Sequence, residues 1–190
     1  MAFVLDARVA GCAAQWKHPS LDILVGLLNP IGSGVTLLAA CLALAVCGRM
    51  CGWSRLEGAA RLGALGFVAA GLLEFTVKHL VSRPRPDAGL WSLGFHGPAF
   101  LPDVDSFPSG HATSVFTVAT AFASFYPGLG PVLYGVAVAV AVGRVYLLRH
   151  YVSDVVAGAV IGIVMASVLL RYVRARSQPT PQEPSTAPSR

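Results

Sequence analysis

Near-continuous apolar runs, separated by short polar segments, constrain the fold of this chain more than any other feature. Of its 190 residues, 55% are hydrophobic and 12% are charged, whereas soluble domains carry about twice that charged fraction. The mean hydropathy is +0.65. Inside a bilayer the backbone must satisfy its own polar groups, and a helix does so within one segment. The sequence therefore predicts an all-α fold, a polytopic membrane helical bundle.

Five of the apolar runs are interpreted as transmembrane helices. They cover about residues 35–49, 58–81, 109–126, 132–148 and 152–173. Ahead of them, residues 3–16 predict a helix lying in the membrane interface, with Trp16 and Lys17 at the depth of the lipid headgroups. Residues 20–28 are too short to span the bilayer, and they predict a re-entrant or interfacial helix.

The two ends of the chain differ in composition. Residues 1–176 are expected to form one membrane-embedded domain, since the length suits a single domain. Residues 177–190 are rich in Pro, Ser and Thr, cannot bury a core and predict a disordered tail. At the start of the chain, Asp6 and Arg8 interrupt the apolar character of the first residues, which argues against a signal peptide.

The net charge of +5 does not indicate nucleic acid. The basic residues lie at the ends of apolar runs and in three short motifs, rather than along a water-soluble face, so we expect no nucleic-acid partner. The cysteines show no zinc-like pairing with histidines, and they predict neither a disulfide nor a metal site. They are Cys12, Cys41, Cys47 and Cys51.

The first motif is Lys-His-Leu-Val-Ser-Arg-Pro-Arg-Pro at residues 78–86, where the second predicted span ends. Its Lys78 and Arg85, together with Arg144 near the end of the fourth span, suit the charge on the oxygens of a transferring phosphoryl group. The arginines offer forks that bind two oxygens, and the lysine offers a point charge. The alternative is that these cations only extend to the lipid headgroups. Arg83 is expected to add positive potential at the entrance.

The second motif is Pro-Ser-Gly-His at residues 108–111, which opens the third predicted span. Free backbone N–H groups at the start of a helix favour an anion. Gly110 lets the backbone approach closely, and the Ser109 hydroxyl can donate as well. Ser109 could also be a plain helix N-cap. The two interpretations are compatible, because they use the same donors.

The third motif pairs His150 with Asp154, which lie on one helix face if the fifth helix begins near His150. A carboxylate bonded to one imidazole nitrogen fixes the tautomer and leaves the other nitrogen as a nucleophile. His111 could then protonate the leaving oxygen. Two alternatives are a purely structural His–Asp bond and a metal site formed by these three residues. Lys78, Arg85 and Arg144 argue against a metal, since these three cations already supply the positive charge that a metal ion would bring.

Taken together, the motifs resemble the type 2 phosphatidic acid phosphatase superfamily, which includes vanadium haloperoxidases and bacterial acid phosphatases. The family pattern is Lys-x6-Arg-Pro, then Pro-Ser-Gly-His, then Ser-Arg-x5-His-x3-Asp. The three segments match it in order, over about residues 70–165. One departure is Gly143, which stands where the family usually has Ser, and it removes a hydroxyl donor to phosphate.

The resemblance implies a role for each matching residue. His150 would attack phosphorus and form a phosphohistidine, Asp154 would orient it, and His111 would act as general acid and then as the base that activates water. The phosphate would be held by Lys78, Arg85, Ser109, Gly110 and Arg144. The resemblance implies no metal and no other cofactor.

The expected function is therefore that of an integral-membrane lipid phosphate or pyrophosphate phosphatase, whose partners are its lipid substrate and the bilayer. Members of the family with several spans act on phosphatidic acid, phosphatidylglycerophosphate, undecaprenyl pyrophosphate or lipid A phosphate, and all four remain candidates. One alternative is a phosphotransferase, in which an alcohol captures the same intermediate. Another is a lipid-binding or transport protein that keeps a relic site.

Five spans would place Lys78, His111 and His150 on the same side of the membrane. The opposite side would receive a group of arginines and, by the positive-inside rule, would be cytoplasmic. The site would then face the periplasm or cell exterior, from a bacterial inner membrane. These arginines are Arg49, Arg55, Arg61, Arg171, Arg174 and Arg176.

Three acidic residues near the motifs have more than one interpretation. Glu74 precedes Lys78 by one helical turn, so it could tether the ammonium group or merely neutralise it during insertion. Asp103 and Asp105 lie in the proline-rich connection. They are either solvated loop acids or groups that recognise a polar headgroup.

Overall fold

The computed structural model describes residues 2–88, 95, 97–100 and 104–176. Over these residues the chain is helical and contains no strand. The helices are α1 (Ala2–Gln15), α2 (Pro19–Leu28), α3 (Gly34–Met50), α4 (Ser54–Val81), α5 (Gly110–Phe125), α6 (Gly130–Tyr146) and α7 (Val152–Arg176). The predicted all-α bundle is confirmed. The five predicted spans coincide with helices α3–α7, but among the described residues only three of them, or four if the bent pair that includes α3 is one span, are long and apolar enough to cross a membrane. The tail at 177–190 lies outside the described residues.

The helices of the bundle differ in their capacity to cross a membrane. Among the described residues, α4, α7 and the stretch Pro127–Tyr146 that contains α6 are each long and apolar enough to do so. A bend of 52° joins Pro19–Gly32 to α3, so these form either a broken span or a re-entrant loop. With 16 residues, α5 extends for about 24 Å, which is shorter than the roughly 30 Å of a hydrocarbon core.

Helix α5 forms the centre of the bundle and packs against α3, α4, α6 and α7. Its closest approach is to α7, where Gly158 and Gly162 face its backbone. A Cβ atom at Gly158 would lie 2.5 Å from the Ser109 carbonyl oxygen, and one at Gly162 would lie 2.5 Å from the Thr113 carbonyl oxygen. Small residues four apart allow such contact between membrane helices. This contact fixes the start of α5 beside the start of α7.

The two N-terminal helices lie against the outside of this bundle. Helix α1 contacts α6 and α7, and α2 contacts α6. Trp16 is exposed, and the Lys17 ammonium donates to the Tyr146 carbonyl oxygen over 3.1 Å. The sequence predicted α1 as an interfacial helix. The structure adds one buried anchor, because only 2% of the Asp6 surface is exposed.

Candidate active site

The three motifs come together at one end of the bundle, where α4 and α6 end and α5 and α7 begin. Backbone hydrogen bonds join the connecting segments there. The Ser106 N–H donates to the Arg83 carbonyl over 2.9 Å, and the Ser109 N–H donates to the Asp154 carbonyl over 3.0 Å. These bonds join the segments after α4 and before α5 to the first turn of α7, so the motif residues share one site.

His150 lies in the turn between α6 and α7 and is 3% exposed. Its Nδ1 is 2.8 Å from the Ser106 carbonyl oxygen. Because a carbonyl only accepts, Nδ1 carries the proton and Nε2 is left with its lone pair. Burial lowers the pKa of His150 below its ordinary value, which favours the neutral ring.

The contact that fixes this tautomer differs from the predicted one. The sequence indicated a carboxylate as the acceptor, but Asp154 Oδ2 lies 3.8 Å from Nδ1. The Asp154 carboxylate is fully buried and its Oδ2 accepts from the Ser106 hydroxyl over 2.5 Å and from the Tyr151 N–H over 2.8 Å. Asp154 therefore acts on His150 chiefly through Ser106. It fixes the Ser106 hydroxyl, and the Ser106 carbonyl in turn fixes the imidazole ring.

Arg83 is buried beside this pair and is not an entrance residue as the sequence suggested. It is 6% exposed. Its Nη1 donates to Asp154 Oδ1 over 2.5 Å and to the Ser153 hydroxyl over 2.7 Å, while its Nη2 donates to Asp6 Oδ2 over 2.8 Å. The guanidinium also lies 3.9 Å from the centre of the Tyr151 ring. A buried carboxylate needs such a partner, since an unpaired charge there is costly.

Lys78, in the last turn of α4, is paired with Glu74. The ammonium nitrogen lies 2.7 Å from Glu74 Oε1, and both side chains are at most 15% exposed. A Cβ atom at Gly110 would lie 3.3 Å from the same Oε1. The absence of a side chain at Gly110 thus leaves room for Glu74, and through it Lys78, at the start of α5. The tether that the sequence offered as one interpretation of Glu74 is present.

Arg85 is held by Asp105. Arg85 Nε lies 2.7 Å from Asp105 Oδ1, and Nη2 lies 2.8 Å from Oδ2. The hydrogen bonds from Arg85 lower the pKa of the Asp105 carboxyl to about 2. Asp105 is therefore not a free solvated acid, because both of its oxygens are engaged by an arginine of the site. Asp103 lies outside the described residues.

Arg144, in the last turn of α6, is 9% exposed. Its Nη1 donates to the side-chain oxygen of Asn29 over 2.6 Å, and its buried Nε has no hydrogen-bond partner among the residues that the structure describes. Asn29 follows α2. Sequence reasoning missed this contact, since an Asn before Pro is typical of a turn.

His111, in the first turn of α5, lies within the electrostatic influence of four charged or ionisable groups of the site. These are Arg144, His150, Lys78 and Arg85. A Cβ atom at Gly32 would lie 2.9 Å from His111 Cδ2, so the backbone that leads into α3 closes over the ring. Because His111 lies near these cations and at the start of a helix, it is placed to contact a bound anion.

Ser109 is fully buried and serves as the N-cap of α5. Its hydroxyl accepts from the Ala112 N–H over 3.4 Å. The capping interpretation of this residue is therefore observed. The bond is long for a hydrogen bond of this type, and it leaves the hydroxyl proton available to another acceptor.

Gly143, which departs from the family pattern, lies where α2 packs closely against α6. Helix α2 crosses α6 at this point, and a Cβ atom at Gly143 would lie 3.1 Å from Val25 Cγ1. A serine here would press against Val25. The missing hydroxyl is thus linked to the close approach of α2 to the bundle.

The metal alternative finds no matching geometry. Within the described ranges, no three His, Cys, Asp or Glu side chains are grouped closely enough to hold a metal ion. This includes the set considered above, His111 with His150 and Asp154. The cysteines Cys12, Cys41, Cys47 and Cys51 are all unpaired by disulfides.

Residues 59–178 match the sequence model of the PAP2 superfamily. The chain belongs to this superfamily. Because the match covers α5, α6, α7 and most of α4, it includes all three motifs and every predicted site residue. Residues before 59, which supply Asp6, Asn29 and Gly32, lie outside it.

Several curated proteins are similar to this chain over about half of its length. Lipid A 1-phosphatase of Rhizobium etli is 37% identical over 100 residues, which are 50% of this chain and 42% of the relative. The putative undecaprenyl-diphosphatase YbjG of Escherichia coli is 32% identical over 102 residues, 53% of this chain and 50% of the relative. Decaprenylphosphoryl-5-phosphoribose phosphatase of Mycobacterium tuberculosis is 35% identical over 107 residues, 56% of each chain. The match spans about half the length of these relatives.

Two solved structures share the fold. LpxE of Aquifex aeolicus superposes with a TM-score of 0.71 at 24% identity, over 88% of this chain and 96% of that one. A transmembrane PAP2-type phosphatidylglycerolphosphate phosphatase from Bacillus subtilis superposes with a TM-score of 0.67 at 22% identity, over 91% of this chain and 86% of that one. Both support the membrane helical bundle.

Proposed function

We propose that this protein is an integral-membrane phosphatase that hydrolyses a phosphomonoester or pyrophosphate on a lipid headgroup through a phosphohistidine intermediate. The observation that carries the proposal is the state of His150. Its Nδ1–H is committed to the Ser106 carbonyl, so Nε2 is the nucleophilic nitrogen. Lys78, Arg85 and Arg144 lie close enough to His111 for their charges to act on it.

In the first step His150 Nε2 attacks phosphorus, and the bond from phosphorus to the leaving oxygen breaks. His111 gives its proton to that oxygen, so the alcohol or lipid phosphate leaves in its protonated form. The cations hold the three other oxygens, with the backbone N–H groups that begin α5. Ser109 and Gly110 place these N–H groups.

In the second step neutral His111 takes a proton from water, and the resulting hydroxide attacks phosphorus. The bond from phosphorus to Nε2 breaks, and its electron pair returns to the ring. Inorganic phosphate leaves, and His111 is protonated again for the next cycle. The positive charge on Lys78, Arg85 and Arg144 performs the role that a metal would otherwise fill, so the proposed reaction needs no metal.

The substrate class is proposed from three supports. The family relatives carry names of lipid A, undecaprenyl and decaprenyl phosphatases. The helices long enough to span a membrane place the chain in a bilayer, where lipid phosphates are found. The site lies at one end of the bundle, so a lipid could keep its tails in the bilayer while its phosphate enters.

The orientation is proposed from the charge at the other end of the bundle. That end carries six arginines, which by the positive-inside rule favour the cytoplasm. The site would face the periplasm, from the inner membrane of a bacterium. The six are Arg49, Arg55, Arg61, Arg171, Arg174 and Arg176. Residues 1–176 form the phosphatase domain in this proposal.

The test measures phosphate release by the purified protein in detergent, with a chelator present, from the four candidate lipids and a soluble phosphomonoester. The wild type is expected to prefer one lipid, and His150→Ala to lose at least about 10³-fold in kcat, as expected when a nucleophile is removed. His79→Ala is the matched control. His79 lies beside Lys78, its Nδ1 is 2.8 Å from the Phe75 carbonyl oxygen, and its loss should leave the rate near that of wild type.

Three outcomes would contradict parts of this proposal. Full turnover by His150→Ala removes the nucleophile assignment. Loss of wild-type activity in chelator, restored by a metal, removes the metal-free mechanism. Release that appears only after an acceptor alcohol is added, with the phosphate found on that alcohol, identifies a phosphotransferase.

A further inference from the structure

The most unusual charged residue outside the motifs is Asp6 on α1. It is 2% exposed, although its neighbours Val4 and Leu5 are both more than 50% exposed. All of its hydrogen-bond partners come from distant parts of the chain. Oδ1 accepts from the Ser153 N–H over 3.0 Å, and Oδ2 accepts from the Ser153 hydroxyl over 2.5 Å and from Arg83 Nη2 over 2.8 Å.

These contacts place Asp6 at the end of a continuous chain of hydrogen bonds that reaches the proposed nucleophile. Asp6 holds Arg83, and Arg83 holds Asp154. Asp154 holds the Ser106 hydroxyl, and the Ser106 carbonyl holds Nδ1 of His150. Each step is 2.8 Å or shorter, and each group is buried. A movement of Arg83 would therefore be transmitted to the ring.

The charges along this series of hydrogen bonds are not balanced. One guanidinium lies between two carboxylates, Asp6 and Asp154. Arg83 alone would neutralise Asp154, so Asp6 adds a second buried carboxylate whose desolvation is costly. It does hold the other side of the arginine fork and prevents its rotation. It also gives the group formed by Asp6, Arg83 and Asp154 a net charge of −1.

We propose that Asp6 is a positioning residue for catalysis, which holds Arg83 so that Asp154 and Ser106 keep His150 in its reactive tautomer. The N-terminal helix thereby completes the active site of this chain from outside the region that the family match covers. This inference rests on the proposed phosphatase function, because it assigns Asp6 a part in the same reaction. Asp6 does not touch the substrate.

The test compares Asp6→Asn with Arg8→Gln, a control at an exposed position on the same helix. Asp6→Asn should lower kcat by about 10- to 100-fold, the range typical when a group that orients a reacting side chain is lost. KM should change less than about 2-fold, because the phosphate contacts remain. Asp6→Glu should recover part of the rate, and Arg8→Gln should match the wild type.

A double-mutant cycle separates positioning from mere anchoring of α1. If Asp6 acts through Arg83, then Asp6→Asn combined with Arg83→Gln should be no slower than Arg83→Gln alone. Two results would overturn the proposal. One is a lower melting temperature for Asp6→Asn with unchanged kcat for the folded enzyme. The other is a double variant whose loss equals the product of the two single losses.

A second measurement reads the tautomer without turnover. In protein labelled with ¹⁵N-histidine, the signals of His150 are assigned by their disappearance in His150→Gln. The wild type should show a protonated Nδ1 and an unprotonated Nε2, and Asp6→Asn should show a mixture of the two tautomers. An unchanged spectrum in Asp6→Asn overturns the inference. If the wild type releases no phosphate from any lipid, the proposed function fails, and this spectrum still decides the role of Asp6 in holding the ring.

Discussion

Residues 59–176 carry every group that we propose to react or to bind phosphate, whereas residues 2–34 carry none of them and still reach the site at three points. Asp6 holds Arg83, Asn29 holds Arg144, and Gly32 lies against His111. One part supplies the chemistry, and the other constrains the side chains that perform it. A motif identifies the first kind of residue and says nothing of the second.

The two parts are also held in place by different forces. Helices α5 and α7 meet through backbone contacts at Gly158 and Gly162, where any side chain would separate them. Helices α1 and α2 make few backbone contacts with the bundle and depend on polar bonds, such as the Tyr146 hydroxyl to Asp22. Interhelical hydrogen bonds in membranes contribute only about 0.6 kcal/mol on average. We therefore expect the N-terminal part to be the more easily displaced.

The largest expected effect comes from the part that carries the motifs. Asp154→Asn keeps the shape of the side chain and removes the charge that Arg83, Ser106 and Tyr151 surround. We expect kcat to fall by about 10³- to 10⁴-fold, as for the loss of the orienting aspartate in a catalytic triad. Initial rates with the preferred lipid measure this.

Arg149→Gln is the control for that variant. Arg149 pairs with Asp87 at the surface, one residue before His150, and its loss should change the rate less than about 2-fold. A rate for Asp154→Asn within about 10-fold of wild type would mean that the Ser106 carbonyl alone is enough to orient His150. Asp154 would then count among the supporting residues rather than among those essential to the reaction.

An intermediate effect is expected from the N-terminal part. Asn29→Ala removes the acceptor for Arg144 and leaves the guanidinium free to rotate. We expect kcat/KM to fall by about 10-fold, since a neutral partner of a charged group contributes roughly 1.5 to 3 kcal/mol at most and Arg144 itself remains. Inhibition by orthovanadate, which competes with the substrate, should weaken in parallel, because orthovanadate and the substrate phosphate both need Arg144.

Asn29→Asp provides the comparison for that variant. It keeps an acceptor and adds a charge, so Arg144 should stay in place but bind an anion less strongly. If Asn29→Ala reduces kcat/KM as much as Arg144→Ala does, then Asn29 belongs with the phosphate-binding groups. The contrast between the two parts would in that case be wrong.

The smallest effect is expected at Asp105. Its carboxylate holds Arg85, whereas Arg144 is held by the side-chain amide of Asn29. The pKa of Asp105 is lowered from 3.8 to about 2. A lowered pKa stabilises the folded protein at pH values above 3.8, and that contribution is lost as the pH falls through about 2. The gap in melting temperature between wild type and Asp105→Asn should therefore be small and constant from pH 5 to pH 8, and should narrow below pH 4.

Thermal unfolding at several pH values tests this expectation. Asp87→Asn is the matched control, since Asp87 is exposed to a similar degree and also pairs with an arginine, Arg149, which is itself more exposed than Arg85. A gap that changes between pH 5 and pH 8 would show that Asp105 titrates there. Its bond to Arg85 would then not hold it ionised.

The sequence by itself determined the helices and the set of groups that we propose to react. The five long helices were predictable because an apolar run in a bilayer has no other way to satisfy its backbone. Their observed ends, such as Gly110–Phe125 against the predicted 109–126, agree within a few residues. The candidate site was predictable because Lys78, His111 and His150 belong to motifs with fixed spacing.

Only the tertiary structure decided how those groups are held. It showed that the acceptor for His150 is the Ser106 carbonyl, that Arg83 is buried between two carboxylates, and that Asp6 and Asn29 reach the site. A serine or asparagine in a loop has an ordinary role in most proteins, so Ser106 and Asn29 do not stand out in the sequence, and Arg83 was expected only at the entrance. Their roles arise from contacts between residues that are 44 to 115 positions apart, which the packing of the helices creates and no local pattern records.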